Sequence, residues 1–320
     1  AANGLYRINQ TALPTPLNNI PVEQLQLWRN GNQVPLFTSV ATGILPVNGY
    51  IEFWGEKNDG VPDKPLYRVN TNQLSDKISL QTDTAVFFLT VNPVIAQNLR
   101  YGLGTNNVAG NSLPAEQSFI YTHRVDFKEN LNRGYGENAG ERLTSSSYDV
   151  GEGWGSREIT ATDPYLFSIS NLFPYSSGGN ATLSMAVDGV SYYSRNVTLK
   201  FNNTAYINNQ FLNNQEAKVL SGKLPASAIS NGSNDCRIEI TPTNPSDNVN
   251  RIYAAYVTLS YSRIFNFGNA TSFNFSLAAS TNPAGTYIEI SNFNSTAIPV
   301  LYDITNDVRY VAVVANGLIK

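Results

Sequence analysis

Histidine, cysteine and methionine occur once each in 320 residues, and these scarcities bound the chemistry more tightly than anything abundant does. A lone Cys236 forms no internal disulfide, and a zinc centre built from His and Cys would need ligands that the chain does not contain. Nucleophilic catalysis of the Ser-His-Asp or Cys-His kind would have to run through His123. Charged residues make up only 14% and the net charge is -3, so there is no electrostatic reason to expect nucleic acid or an anionic membrane as partner. No apolar run approaches the length of a membrane span.

What is present is a β vocabulary. Tyr (18) and Phe (15) join Val and Ile in short runs, with Asn, Thr, Ser and Gly between them, which suits pleated, half-buried surfaces broken by turns. No stretch shows the period of an amphipathic helix. The fold class expected is all-β: a small N-terminal β domain over residues 1–115, then an immunoglobulin-like or jelly-roll sandwich over 116–320.

In the first part, Gly4-Leu5-Tyr6-Arg7-Ile8 reads as a strand. Residues 25–29 and 33–37 flank Asn30-Gly31, the pair that supplies two positive φ angles to a type I′ turn, so a hairpin is expected there. Residues 85–91 are apolar at nearly every position and read as a strand buried on both faces. A Gly- and Asn-rich connection follows at 98–114. Residues 118–128 form a strand carrying His123. A second irregular stretch at 130–155 is punctuated by Gly134, Gly136, Gly140, Gly151, Gly153 and Gly155. Beyond Ile159 short strands recur at sandwich spacing, with Asp188-Gly189 as a further hairpin signal. In residues 253–261 alternation places Ala255, Val257 and Leu259 inward and Tyr256, Thr258 and Ser260 outward.

The stretch richest in possible chemistry is 50–67, YIEFWGEKNDGVPDKPLY. An alternating strand enters an acidic loop in which Glu56, Asn58, Asp59 and Asp63 could offer oxygens to one hard cation, calcium being the candidate. The other reading is a tightly turned surface hairpin, because the distal bidentate Glu of a twelve-residue calcium loop is missing. Trp28, Trp54 and Trp154 are candidate platforms for a sugar ring or anchors for a neighbouring domain, and Tyr67 joins Trp54 and Trp154 as a candidate interface residue. Asp149, Glu152, Asp163, Asp303 and Asp307 sit in Gly/Asn contexts where single acids cap turns. Cys236 alternates with Ile238 and Ile240, as a thiol acting as a small apolar side chain would.

Several of these motifs occur together in one known setting. Gly4-Leu5-Tyr6-Arg7-Ile8, the hairpin over 25–36, Tyr50-Ile51-Glu52-Phe53-Trp54-Gly55 with Asn58-Asp59-Gly60, Asp63 and Leu66-Tyr67 lie in the first half. Gly151-Glu152-Gly153-Trp154, Tyr256-Val257-Thr258-Leu259-Ser260-Tyr261 and Val300-Leu301-Tyr302-Asp303-Ile304-Thr305 lie in the second. In this order, and covering nearly the whole chain, they resemble the N-terminal, non-catalytic region of gingipain-like cysteine peptidases and sortase-like surface proteins exported by the type IX route. In that family a caspase-like peptidase domain carrying the catalytic His and Cys follows. Neither His123, in Tyr121-Thr122-His123-Arg124, nor Cys236, in Asp235-Cys236-Arg237-Ile238, has the sequence context of that pair, so nothing catalytic carries over. The resemblance implies a non-enzymatic module on the cell surface or outside the cell, reached through a signal peptide upstream of Ala1. Its partner would be the downstream peptidase domain or another surface protein, with carbohydrate binding as the alternative.

Overall fold

A computed structural model describes residues 2–135, 146–244, 246 and 249–320. Gly136 and Gly140 of the Gly-rich stretch therefore lie outside the described residues. The chain is all-β, and no helix among the described residues is longer than the six-residue 3-10 turn at Val61–Leu66.

The N-terminal strands are β1 (Gly4–Asn9), β2 (Leu25–Arg29), β3 (Asn32–Val34), β4 (Phe37–Thr38), β5 (Tyr50–Gly55), β6 (Phe88–Val91) and β7 (Gly102–Leu103). β5 pairs antiparallel with both β1 and β4, while β2 lies between β3 and β6. The β2–β3 turn is the one expected, with Asn30 at φ 49 and Gly31 at φ 76. Leu25, Leu27, Leu36, Ile51 and Phe53 fill the small core with Val22 and Leu45. Each such burial contributes about 1.5–3 kcal/mol, so a core of this size holds only a small unit.

The strand at 85–91 departs from expectation. β6 is an edge strand, paired only to β2, and it is covered on one face rather than two. Phe87 and Leu89 turn into the core while Val86 and Phe88 stand outside it.

The second group comprises β8 (Phe119–Asp126), β9 (Asn130–Asn132), β10 (Gly153–Gly155), β11 (Ile159–Thr160), β12 (Tyr165–Ile169), β13 (Ala181–Gly189), β14 (Arg195–Phe201), β15 (Thr204–Leu212), β16 (Ala217–Leu224), β17 (Asn234–Pro242) and β18 (Arg251–Arg263). One sheet runs β16–β13–β18, with β8 and β11 pairing successive lengths of the far edge of β18. The other runs β15–β14–β17–β12. Leu183, Met185, Val257 and Leu259 from the first sheet face Val197, Leu199, Ile238 and Ile240 from the second, forming the sandwich core.

Alternation along β18 holds for Val257 and Leu259 but not for Ala255. A bulge between Ala186 and Val187 of β13 leaves Ala255 unmatched on β18 and reverses its side, so Ala254 points into the core. Ala255 instead joins Leu74 and Ala186 on the outer face, where the 60–80 segment lies against the sandwich.

Asp188-Gly189 is not a turn. β13 continues through both residues, Asp188 opposite Ala217 and Tyr253. Asp188 is buried and accepts a hydrogen bond from Asn132 Nδ2 at 2.5 Å. Gly189 is needed because a Cβ there would overlap the Arg195 guanidinium and the Asn214 carbonyl. Packing rather than turn chemistry selected this Asp-Gly pair.

Past the sandwich come β19 (Asn266–Ala270), β20 (Ser291–Phe293), β21 (Val300–Asp303), β22 (Val308–Val311), β23 (Val314–Ala315) and β24 (Leu318–Ile319). β22 pairs antiparallel with β21 and parallel with β7, which carries the C-terminal strands back to the N-terminal part. There Tyr302 Oη donates to Glu52 Oε2 at 2.5 Å and Arg309 Nε donates to Tyr302 Oη at 2.9 Å.

Candidate functional site

His123 and Cys236 belong to different sheets. Cys236 on β17 is opposite Phe167 and Phe201 in the sandwich core, and burial lifts its thiol to about 12, with Asp235 adding to the rise. A thiol held so far from ionisation is no nucleophile at neutral pH. His123 on β8 is opposite Leu259, and burial, assisted by the Arg263 charge, lowers its pKa.

The acidic loop does not gather its oxygens. Asp63 is buried and accepts from Ser79 Oγ (3.2 Å) and the Leu80 amide (2.7 Å). Asp59 accepts from the Val61 amide at 3.0 Å and faces Lys77 at 3.6 Å. The Asn58 amide group donates to the Thr82 carbonyl at 2.9 Å. Glu56 pairs with Arg29 at 3.6 Å and accepts from Trp54 Nε1 at 3.3 Å. These residues close turns and fasten the loop. No group of three or more His, Cys, Asp or Glu converges as cation ligands would among the described residues.

The candidate interface residues take different positions. Tyr67 is only 4% exposed; its hydroxyl donates to the Glu152 carbonyl at 2.5 Å and its ring meets Tyr148 edge-on at 5.3 Å, so it is a packing residue. Trp154 on β10 is half-buried under Lys128 Nζ, 5.3 Å from the ring centroid. Trp28 on β2 donates from Nε1 to Gln26 Oε1 at 3.2 Å. Trp54 lines a cavity of about 240 Å³, together with Arg29, Glu56, Phe87, Tyr101 and Asp307. Asp303 caps the amides of Thr305 and Asn306, as expected of a turn acid.

Pattern reading misses a run of exposed apolar residues between 86 and 103. Val86, Phe88, Val91, Val94, Ile95, Leu99 and Leu103 are all exposed, Phe88 at 64% and Leu103 at 75%. Their apolar character reads as a buried strand until pairing reveals β6 as an edge.

A larger cavity, of about 420 Å³, lies between β8 and β12. Tyr121, His123, Ser168, Asn171, Arg263 and Phe273 are among its walls. Only the crowding of Phe265, Phe267, Phe273 and Phe275 in the sequence could have pointed to it.

No family model and no curated protein matches the sequence. Among solved structures, a dimeric latent PorU from Porphyromonas gingivalis shares the fold along 99% of this chain at 10% identity and a TM-score of 0.57. The chain spans 29% of the length of that protein. Looser overlays cover part of the chain. A carbohydrate-binding module CBM36 in complex with calcium and xylotriose matches 43% of this chain and 98% of its own, at 12% identity and a TM-score of 0.25. A Podospora anserina GH26-CBM35 mannanase matches 51% of this chain and 30% of its own, at 16% identity and a TM-score of 0.24. At these identities the PorU likeness is one of fold. No helix among the described residues is long and apolar enough to cross a membrane.

Proposed function

We propose that the chain is a non-catalytic β module of an exported, cell-surface protein of the gingipain-like or sortase-like kind, acting by packing against or presenting a peptidase domain. The observation that carries this reading is the number of large apolar side chains left exposed between Val86 and Leu103. Burying such a surface removes it from water at about 25 cal/mol per Å² of apolar area, a sufficient drive for docking between neighbouring domains. The PorU likeness along nearly the whole chain, and the small share of that protein it occupies, support a part within a larger assembly. Export through a signal peptide and the type IX route belongs to the same reading.

Within the module we place the division near residue 115, with the C-terminal strands returning to the N-terminal unit. Trp54 and Trp154 are the aromatic anchors offered to a neighbour. The role requires no bound calcium.

The test is co-expression of residues 1–320 with the downstream segment of the full reading frame, as wild type and as a Phe88→Glu, Leu103→Glu double variant. Co-purification that the double variant abolishes, with its circular dichroism unchanged, is the expected result. If wild type neither binds the segment nor alters its solubility or activity, the packing role is wrong.

A further inference from the structure

The cavity that Trp54 lines takes its walls from both ends of the chain. Trp54 lies on β5, Val34 ends β3, and Ile304 and Asp307 come from the turn between β21 and β22. Its volume of about 240 Å³ falls below the roughly 300–1,000 Å³ of clefts that enclose a whole ligand, and suits a single side chain better.

The aromatic residues in it are unequally engaged. Phe87 meets Phe53 at 5.1 Å and Tyr101 meets Tyr302 at 4.8 Å. No aromatic ring or cation packs on the Trp54 indole among the described residues. That side chain is half-buried, and its Nε1, open to solvent, donates to Glu56 Oε1 at 3.3 Å. Val34, Pro35 and the exposed Ile304 supply further apolar wall.

The charges differ in the same way. Arg29 is engaged, paired with Glu56 at 3.6 Å and donating to the Lys57 carbonyl at 3.1 Å. Asp307 is not. Its backbone carbonyl accepts from the Gly102 amide at 2.8 Å, but no hydrogen bond or ion pair reaches its carboxylate among the described residues. Arg309 turns instead to Glu52 at 3.6 Å. Burial raises the Tyr101 phenol to about 12 and the Asp307 charge adds to the rise, so a protonated hydroxyl and a free carboxylate share the wall. The unmatched charge of the lining is therefore that of Asp307. One carboxylate is too few for a hard metal ion, which takes about six or more oxygens. It suits an organic cation whose carbon stem lies along an indole.

We propose that this cavity receives a basic side chain, lysine or arginine, of a partner polypeptide, its stem along Trp54 and Pro35 and its cationic head at Asp307. A neutral side chain would desolvate Asp307 without matching its charge, and an acidic one would face it directly. The inference deepens the packing role by naming what the neighbour contributes, and rests on that role only for where the partner comes from.

The test is titration of residues 1–320 with alanine pentapeptides, blocked at both ends, that carry lysine, arginine, glutamine or glutamate at the centre, and with butylammonium. The readout is the tryptophan indole N–H signals. Trp54→Phe identifies the Trp54 signal, and Trp28 and Trp154 remain as internal controls. The basic peptides should move the Trp54 signal alone, with a dissociation constant on the order of 1 mM, about fivefold or more tighter than the glutamine peptide, and should weaken as salt rises. The glutamate peptide should leave it still. Asp307→Asn keeps the turn, because Asn tolerates the φ of 55 there as Asp does, and should erase the preference for the basic peptides. A Trp54 signal unmoved by either basic peptide, equal binding of the glutamine peptide, a preference retained in Asp307→Asn, or tighter binding of butylammonium than of the peptides would each overturn the proposal. Shifts that appear while the downstream segment fails to co-purify would remove the packing role and leave the cavity's preference standing.

Discussion

At the scale of single residues, the two side chains that could have signalled catalysis behave as structure. Cys236, raised to about 12 and enclosed by the sandwich core, is expected to resist alkylation in folded protein and to react only on unfolding. Rapid labelling near neutrality, followed by mass spectrometry, would contradict this. His123 gives a pH signature. Its folded pKa lies below the ordinary 6.5, chiefly through burial and then through Arg263, so protonation favours the unfolded chain. The stability it contributes is complete above pH 6.5 and declines as pH falls from there through the lowered pKa. A His123→Gln variant should lose that part of the acid-side decline in denaturant midpoints measured between pH 7 and 4. The role of Cys236 was legible in the sequence, since alternation with Ile238 and Ile240 marks it as a core position. The weight of Arg263 was not, because a buried cation looks in sequence like any solvated one.

At the scale of elements, turns and alternation were readable wherever local chemistry decides. Asn30-Gly31 makes its hairpin because both positions need positive φ, and Val257 and Leu259 point where a period of two puts them. The failures arose where a distant partner decides. Residues 85–91 are apolar on both faces, yet Val86 and Phe88 stay outside the core, and Asp188-Gly189 stays in its strand because β16 and β18 pair with it. The loop carrying Glu56, Asn58, Asp59 and Asp63 shows the same limit, since its oxygens are taken by Arg29, Lys77, Ser79 and backbone amides rather than turned to one point. Millimolar calcium should accordingly leave the melting temperature unchanged. A rise that Asp59→Asn and Asp63→Asn abolish would restore the calcium site. Gly222 on β16 offers an element-level test of packing. A Cβ there would overlap the Tyr206 carbonyl of β15, so Gly222→Ala should cost about 1–3 kcal/mol in urea unfolding.

At the scale of the whole molecule, one buried acid joins the first strand to the returning pair β21 and β22. Glu52, 1% exposed, receives Arg7 Nη2 at 2.6 Å and Tyr302 Oη at 2.5 Å, with Arg309 Nε at 3.6 Å. Burial raises the pKa of the Tyr302 phenol far above its usual range, and Glu52 adds to the rise, so it remains a donor at any physiological pH. Removing the buried acid of such a set costs about 3–5 kcal/mol, because Arg309 stays buried without its carboxylate while the half-exposed Arg7 turns to solvent. Glu52→Ala should therefore loosen residues 300–311 first, seen as faster amide exchange and early proteolytic cutting there, while the sandwich strands stay protected. Uniform loosening of both parts would show that the acid does not act locally. Nothing in the sequence announces this pairing, since its members are ordinary strand residues until the chain folds back.

That return has a kinetic meaning. Glu52 and Tyr302 lie 250 positions apart, and β7 waits for β22 to supply its pairing. On the ribosome the first strands would emerge and collapse long before the segment that completes them exists, whereas the intervening sandwich could close on its own. Contacts this far apart along the chain also make for slow folding and a long-lived intermediate with unpaired edges. The N-terminal unit thus stays unfinished until the C-terminal strands β21 and β22 arrive.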